Sequence, residues 1–292
     1  MIRKISAVVL LLACMAGLAV LVTRQQSFGD EKITVATSFY PLFNFSQIVG
    51  GKYVAVTNMT PAGAEPHEYE PAARDLLRAQ KAKLFVYNGS TFEPWAKKFA
   101  SSYPGQKVAA NYHVALHDTD PHFWLDPIQA QQIVQNIANG LAATDPTHAD
   151  YYQHNADDYK QKLAQLDVDF RQGLATCKQH EIVSSHDAFG YLGRRYGFAI
   201  RGIAGISPDA EPSAERLQEL ADLVRQKHID YVFFESLVSP RLADTIATET
   251  GAKTLVLDPI EGLSDEEQQR GKDYLSIQRD NLAHLRTALA CQ

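Results

Sequence analysis

The chain has 292 residues, of which 45% are hydrophobic and 21% are charged, and its formal charge at pH 7 is −6. This length is enough for two domains, and the composition is that of a globular protein. Binding to nucleic-acid phosphates requires clustered Lys and Arg, and no basic patch stands out in this acidic chain. We therefore expect no nucleic-acid partner.

Residues 1–29 have the pattern of an export signal or a membrane anchor. Arg3 and Lys4 precede an apolar run over Ile5–Val22, which is typical of export segments. Three forms stay open: a lipoprotein lipidated at Cys14, a cleaved signal, and a retained anchor, for which the run is long enough. Each form places residue 30 onward outside the cytoplasm, in the periplasm or at the outer face of the cytoplasmic membrane.

Eight short β-rich runs alternate with helix-like stretches, four in each half of the chain. Several are unbroken runs of Val, Ile, Leu and Phe, as expected for parallel strands covered on both faces. The predicted strands are Ile33–Phe39, Tyr53–Thr60, Leu84–Asn88, Lys107–Ala110, Ile182–Ser185, Ala199–Ile206, Tyr231–Glu235 and Thr254–Leu257. We expect an α/β fold with two lobes, each a four-stranded, mostly parallel sheet flanked by helices.

A single long helix is predicted between the two halves. Asp145 and Pro146 suit the first positions of a helix, and apolar residues then recur every three or four positions from Tyr152 to Phe170. A helix that ends near Gly173 spans on the order of 40 Å. The predicted division is a first lobe over 30–144, a linking helix over 145–178 and a second lobe over 179–292.

Two cysteines remain after the export segment, Cys177 and Cys291. In an oxidising compartment an isolated pair favours a disulfide over two buried free thiols. A bridge to the penultimate residue would also hold a terminus that otherwise frays.

Four residues with metal-binding side chains follow the ends of predicted strands. His67 and His122 lie in the first half, and His186 and Asp258 lie in the second. Because ligands bind at the carboxyl edge of open α/β sheets, these residues predict a site in the cleft between the lobes. Three imidazoles and one carboxylate form a complete tetrahedral zinc shell. On this pattern alone, surface roles for the histidines and a turn role for Asp258 stay open.

Several motifs occur together in a characteristic order. They are PAGAEPHEYEP (Pro61–Pro71), NGSTFEPW (Asn88–Trp95), DPHFWLDP (Asp120–Pro127), ISPDAEPS (Ile206–Ser213), FFESLVSPRLA (Phe233–Ala243) and LVLDP (Leu255–Pro259). In these motifs the chain resembles the TroA-like metal-binding receptors of ABC importers, specifically the ZnuA-like zinc-uptake branch. The resemblance runs from about Ile33 to the C-terminus. It implies two lobes joined by one backbone helix, and metal ligands at His67, His122, His186 and Asp258.

The resemblance has two departures. Glu65 stands where relatives more often carry Asp. Residues 111–120 lack the long His- and Asp-rich insertion of many zinc receptors and offer only His113, His117, Asp118 and Asp120. A metal-scavenging role for this loop is therefore not predicted.

The manganese and iron branches typically carry a carboxylate where His186 stands, so His186 favours zinc. For Glu235 two roles stay open: an acceptor that orients a ligating imidazole, or an ordinary cleft carboxylate.

The resemblance predicts a receptor that captures one Zn²⁺ per chain and delivers it to a membrane-bound ABC permease. Such a receptor is not an enzyme, and we expect it to be a monomer. Three alternatives stay open: a manganese or iron receptor of the same fold, an exported zinc hydrolase with Asp258 or Glu235 as base, and a surface adhesin in which the metal stabilises the fold.

Overall fold

Two four-stranded parallel sheets organise the part of the chain that the structure, a computed structural model, describes, namely residues 31–117 and 119–292. The first sheet has the strand order β2-β1-β3-β4, and the second has the order β6-β5-β7-β8. The export or anchor segment predicted for residues 1–29 lies outside the described residues. Within the described ranges, no helix combines the length and apolar character needed to cross a membrane.

Every predicted strand is present, with ends that differ from the prediction. The strands are β1 (Ile33–Thr37), β2 (Val54–Asn58), β3 (Leu84–Tyr87), β4 (Gln106–Ala109), β5 (Glu181–Ser184), β6 (Ala199–Gly202), β7 (Tyr231–Phe234) and β8 (Lys253–Val256). All pairs are parallel. The largest difference is at β6, which ends at Gly202 rather than Ile206, because the chain turns away from the sheet after two further backbone bonds to Ser184 and Ser185.

Helices cover the sheets and connect successive strands. They are α1 (Tyr40–Gly50), α2 (Ala73–Ala79), α3 (Pro94–Ser102), α4 (Pro127–Thr144), α5 (Ala149–Gly173), α6 (Gly190–Tyr196), α7 (Ala214–Lys227), α8 (Arg241–Thr250), α9 (Asp265–Gln269) and α10 (Tyr274–Ala288). Short 3₁₀ turns occur at Gly51–Tyr53, Phe123–Leu125 and Pro146–His148. The predicted α/β architecture is confirmed.

The long linking helix is α5, whose 25 residues give a length of about 38 Å. It is preceded by the 3₁₀ turn Pro146–His148 rather than starting at Pro146. The Asp145 carboxylate accepts hydrogen bonds from the Tyr152 hydroxyl at 2.8 Å and from His148 Nδ1 at 2.6 Å. The apolar stripe predicted from Tyr152 to Phe170 is buried, so one face of the helix is part of the hydrophobic core.

That core is shared by both halves of the chain. One buried cluster includes Val35 and Leu84 of the first sheet together with Ile182 of the second sheet and the α5 stripe. Residues Ile33–Gln292 accordingly form one compact unit. The predicted disulfide is present: Cys177, just beyond α5, is bonded to Cys291, just beyond α10. The two halves are therefore held together by packing as well as by the covalent chain.

Candidate metal site

Four loops at the carboxyl ends of strands meet between the two sheets. His67 lies in the turn after β2, and His122 immediately precedes the 3₁₀ turn that follows β4. His186 follows β5, and Glu261 follows β8. One metal-binding atom from each of these side chains lies within 4.8 Å of those of the other three. This cluster draws two residues from each half of the chain, at the edge where α/β folds bind their ligands.

The separations within the cluster are those of a small coordination shell. The Nε2 atoms of His67 and His122 are 3.4 Å apart, and those of His122 and His186 are 3.3 Å apart. Glu261 Oε1 lies 3.2 Å from Nε2 of both His67 and His122, and 3.6 Å from Nε2 of His186. Ligands arranged tetrahedrally at about 2.0–2.1 Å from a zinc ion are about 3.3 Å apart. The observed separations match that geometry.

Carboxylates hold two of the imidazoles from behind. His122 Nδ1 lies 2.9 Å from Asp120 Oδ1, and His186 Nδ1 lies 2.7 Å from Glu235 Oε1. A carboxylate accepts, so Nδ1 donates in each pair and Nε2 keeps its lone pair for the centre of the cluster. This arrangement fixes the tautomer and the ring orientation of a metal-binding histidine. Of the two roles left open for Glu235, the geometry matches the orienting one.

The cluster is largely buried, and its ionisable groups change one another's pKa values. Burial lowers the pKa of His122, but hydrogen bonds to Asp120 and Glu261 outweigh burial and leave it above its usual value. Burial also lowers the pKa of His186. The carboxylates of Glu235 and Glu261 outweigh burial and hold that pKa well above its usual value. Burial favours a raised pKa for Glu261, but the three imidazoles hold it well below its usual range. Glu261 is therefore an anion placed to receive positive charge.

A second carboxyl group, that of Glu65, lies beside the cluster and has a raised pKa. Burial, followed by the Glu261 charge, raises the pKa of Glu65 to about 9. Glu65 Oε2 accepts a hydrogen bond from the His67 backbone N–H at 3.0 Å and so shapes the turn that carries this imidazole. Glu65 thus lies close enough to Glu261 for two anionic carboxyl groups to repel each other.

The structure places Asp258 outside this cluster and Glu261 within it. Asp258 Oδ1 accepts from the backbone N–H of Ile260 at 2.6 Å, and its Oδ2 accepts from the Ser236 hydroxyl. Asn281 holds the Asp258 backbone on both sides, at 2.9 and 2.7 Å. Ile260 has a φ of 58°, which is unusual for a β-branched residue. The buried turn between Asp258 and Glu261 directs the second carboxylate into the cleft.

The remaining loop histidines are elsewhere. The His117 ring lies 5.0 Å from the Tyr191 ring, and its backbone N–H donates to the Tyr191 hydroxyl at 3.0 Å. His113 lies against Tyr112. Neither belongs to the metal-binding group found among the described residues. Phe92 packs edge-on against the His67 ring at 4.5 Å and forms part of the apolar wall around the cluster.

Sequence reasoning missed Glu261 and the role of Asp120. A signal for each was present. Glu261 lies in the same strand-end loop as Asp258, three residues further on, and Asp120 stands two residues before His122. At that spacing an aspartate side chain can reach the neighbouring imidazole.

Comparisons with known proteins find zinc-uptake components among the relatives of this chain. Residues 35–288 match the ZnuA family, described as zinc-uptake complex component A, periplasmic. The zinc-binding lipoprotein AdcA of Streptococcus pneumoniae is 37% identical over 306 residues, which cover 97% of this chain but only 60% of AdcA. The high-affinity zinc uptake system protein ZnuA of Bacillus subtilis is 36% identical over 285 residues, which cover 90% of this chain and 89% of that protein.

A solved structure shares the fold. The crystal structure of the Zn(II)-bound ZnuA-like domain of Streptococcus pneumoniae AdcA superposes with a TM-score of 0.80 at 38% sequence identity, and the match covers 88% of this chain and 99% of that domain. The chain therefore spans one domain of AdcA, whereas it spans most of the ZnuA protein of Bacillus subtilis.

Proposed function

We propose that this chain, which belongs to the ZnuA family of periplasmic zinc-uptake components, is an extracytoplasmic receptor that binds Zn²⁺ with high affinity and delivers it to an ABC permease for import. The observation that carries the proposal is the convergence of three imidazole nitrogens and one carboxylate oxygen at the spacing of a four-coordinate ion. The ion is the cargo, one per chain.

The proposed ligands are His67, His122 and His186 through Nε2, and Glu261 through Oε1. Asp258 was the carboxylate expected from the sequence, but its two oxygens are occupied by hydrogen bonds to Ile260 and Ser236. Those bonds support a role for Asp258 in shaping the loop that presents Glu261. The donor set of three nitrogens and one oxygen favours zinc over manganese, which prefers oxygen ligands and higher coordination numbers.

Transport fits this site better than catalysis. A catalytic zinc keeps one coordination position for water or substrate, whereas four protein ligands fill the shell. We therefore propose a receptor rather than a hydrolase, and expect no turnover of esters or peptides by the zinc-loaded protein. Measurable hydrolysis that is lost on zinc removal would favour the exported hydrolase.

We place the receptor outside the cytoplasm. It acts as a monomer at the outer face of the cytoplasmic membrane or in the periplasm, with lobes over 30–144 and 179–292 joined by the segment 145–178. Residues 1–29 direct export, by lipidation at Cys14, by signal cleavage or as a retained anchor. Family membership supports the extracytoplasmic location.

A matched pair of carboxyl variants tests the ligand assignment. Elemental analysis of chelator-free protein should find one zinc per chain. We expect Glu261→Gln to weaken zinc binding by more than about 100-fold, because even residues behind the ligands commonly contribute 10–100-fold. Asp258→Asn keeps an acceptor for the Ile260 N–H and should change zinc affinity much less. A larger loss of zinc affinity in Asp258→Asn than in Glu261→Gln would return Asp258 to the ligand set. A wild-type protein that contains no zinc would contradict the proposed function.

A further inference from the structure

The 3₁₀ turn Phe123–Leu125 comes from the first half of the chain but is bonded to groups of the second half. Trp124 Nε1 donates to the Pro259 carbonyl at 2.8 Å. The Tyr274 hydroxyl donates to the Trp124 carbonyl at 2.5 Å, and Gln278 Nε2 donates to the Leu125 carbonyl at 3.0 Å. All three bonds are buried. The turn is therefore fixed to the second sheet's side of the cleft, although it follows a strand of the first sheet.

The indole bond joins two of the loops that supply the cluster. Trp124 lies two residues after His122, and Pro259 lies two residues before Glu261. The Trp124 side chain is fully buried, and its ring packs 5.2 Å from the His122 ring and 5.0 Å from the Phe92 ring. A single side chain thus connects the loop of one imidazole with the loop of the carboxylate that contacts it.

Breaking the bond between Trp124 Nε1 and the Pro259 carbonyl is energetically costly because both groups are buried. Pro259 is buried, and a buried carbonyl that loses its donor pays the full desolvation penalty of an unpaired polar group. Any movement that separates the His122 loop from the Glu261 loop must break this bond. The indole bond therefore supports the separation of 3.2 Å between His122 Nε2 and Glu261 Oε1 from behind the cluster.

We infer that Trp124 is a positioning residue, whose indole N–H holds the His122 and Glu261 loops at the spacing of a four-coordinate ion and so contributes to discrimination between zinc and manganese. This inference rests on the proposed function. Its physical basis is that a nitrogen-rich site selects among divalent ions by enforced geometry as well as by ligand type. Loops released from the indole bond can move apart and admit the additional ligands that manganese requires.

The two tryptophans of this chain provide a matched comparison. Trp124→Phe keeps an aromatic ring but removes the N–H. Trp95→Phe makes the same change at a buried indole whose Nε1 has no hydrogen-bond partner among the described residues. We expect Trp124→Phe to weaken zinc binding about tenfold, to weaken manganese binding less, and so to narrow the ratio of the two affinities. Trp95→Phe should leave that ratio unchanged.

Co²⁺ absorption distinguishes positioning from a general loss of stability. A four-coordinate Co²⁺ site absorbs strongly in the visible region, and an expanded site absorbs weakly, so the spectrum of saturated protein reports geometry rather than affinity. We expect saturated wild type and Trp95→Phe to give the strong spectrum and Trp124→Phe to give a weaker one. Tyr274→Phe, which removes the donor to the Trp124 carbonyl, should shift the spectrum in the same direction and serves if Trp124→Phe does not fold.

The outcomes separate the inference from the function on which it rests. A wild type that binds no zinc would overturn the proposed function. A wild type that binds zinc, with Trp124→Phe and Tyr274→Phe showing an unchanged zinc-to-manganese ratio and an unchanged Co²⁺ spectrum, would overturn the positioning role alone. Equal changes in Trp95→Phe and Trp124→Phe would also overturn it, because the effect would then come from loss of indole volume.

Discussion

The residues of the cluster are arranged so that protons and zinc compete for the same lone pairs. Despite burial, the carboxylates around His122 and His186 keep the pKa of each imidazole above its usual value in the ion-free protein. Zinc binds only the neutral ring, so it must displace protons that are held more tightly than on a free histidine. Proton competition therefore extends above the ordinary imidazole pKa of about 6.5.

We predict that zinc affinity falls as pH is lowered, and that the fall begins above about pH 6.5. More than one proton should be released for each zinc bound near neutral pH. Competition with a chelator across the pH range measures the affinity, and proton release in weak buffer measures the stoichiometry. An affinity that stays constant between about pH 5 and 7.5 would contradict a three-histidine shell.

Metal choice is expected to depend on His186. We predict that His186→Glu weakens zinc more than manganese, because it replaces a nitrogen donor, which zinc favours, with an oxygen donor, which manganese favours. Competition titrations of both metals against wild type and variant measure the difference. His117→Glu is the control, since His117 packs on Tyr191 outside the cluster. Manganese binding by the wild type as tight as zinc binding would assign the chain to manganese.

The buried carboxyl group of Glu93 offers a test of how protonation affects the stability of the fold. Its side chain is buried, and Oε2 accepts from the Ser38 hydroxyl at 2.6 Å. Burial raises the pKa of Glu93 to about 8, compared with about 4.3 in an unfolded chain. Between these two pKa values the folded state keeps the proton while the unfolded state releases it. The contribution of Glu93 to the free energy of unfolding is therefore largest at low pH and declines as pH rises from about 4.3 to about 8.

We predict that Glu93→Gln removes this decline. The free energy of unfolding of the variant minus that of the wild type should therefore be larger at pH 8 than at pH 5. Urea unfolding at both pH values, with a chelator present to exclude zinc, gives the comparison. Glu249→Gln, at an exposed position of α8, is the matched control. A pH dependence of Glu93→Gln parallel to that of the wild type would show that Glu93 ionises normally.

At the scale of elements, the termini of two helices are joined covalently. The Cys177–Cys291 disulfide connects the chain beyond α5 with the chain beyond α10 across a sequence separation of 114 residues. In the chain-entropy account, a bridge that closes a loop of about 100 residues stabilises the folded state by about 4–5 kcal/mol. Neither cysteine belongs to the metal-binding group.

We predict that Cys177→Ser/Cys291→Ser lowers the free energy of unfolding by about 2–5 kcal/mol and leaves zinc affinity at the wild-type value. Chemical unfolding and zinc titration of the double variant measure the two effects. Reduced wild-type protein should match the variant in stability. A large loss of zinc affinity in a folded double variant would mean that the bridge also shapes the cleft.

At the scale of the whole molecule, α5 restrains the two sheets relative to each other. Its Tyr159 ring packs 5.8 Å from Phe45 on α1, and its Phe170 ring stacks 4.9 Å from Tyr196 at the end of α6. Arg195, on α6, is bonded to Asp126, the N-cap of α4, at 2.5 Å. A packed helix with contacts on both sides has no hinge residues in its middle, so large domain closure is not expected.

We predict that zinc removal moves the loops around the cleft more than it moves the lobes. Spin labels at Lys98→Cys and Thr248→Cys, which are exposed positions on α3 and α8, report the distance between the lobes. The distance distribution should be nearly the same with and without zinc. A second, much longer distance in the zinc-free protein would contradict a rigid linking helix and indicate a hinge.

The amino-acid sequence determined the framework of this protein because its signals are local. Runs of β-branched and apolar residues predicted eight strands, a 3.6-residue repeat predicted α5, and position after strand ends selected His67, His122 and His186. The tertiary structure alone decided which carboxylate faces them. Asp258 and Glu261 lie in one loop. Which of the two faces the imidazoles depends on hydrogen bonds from Ser236 and Asn281 to Asp258, and both residues are distant from that loop in sequence. Hydrogen bonds between such distant residues have no periodic pattern in sequence, so only the folded chain shows that Asp258 fixes the turn and Glu261 enters the cleft.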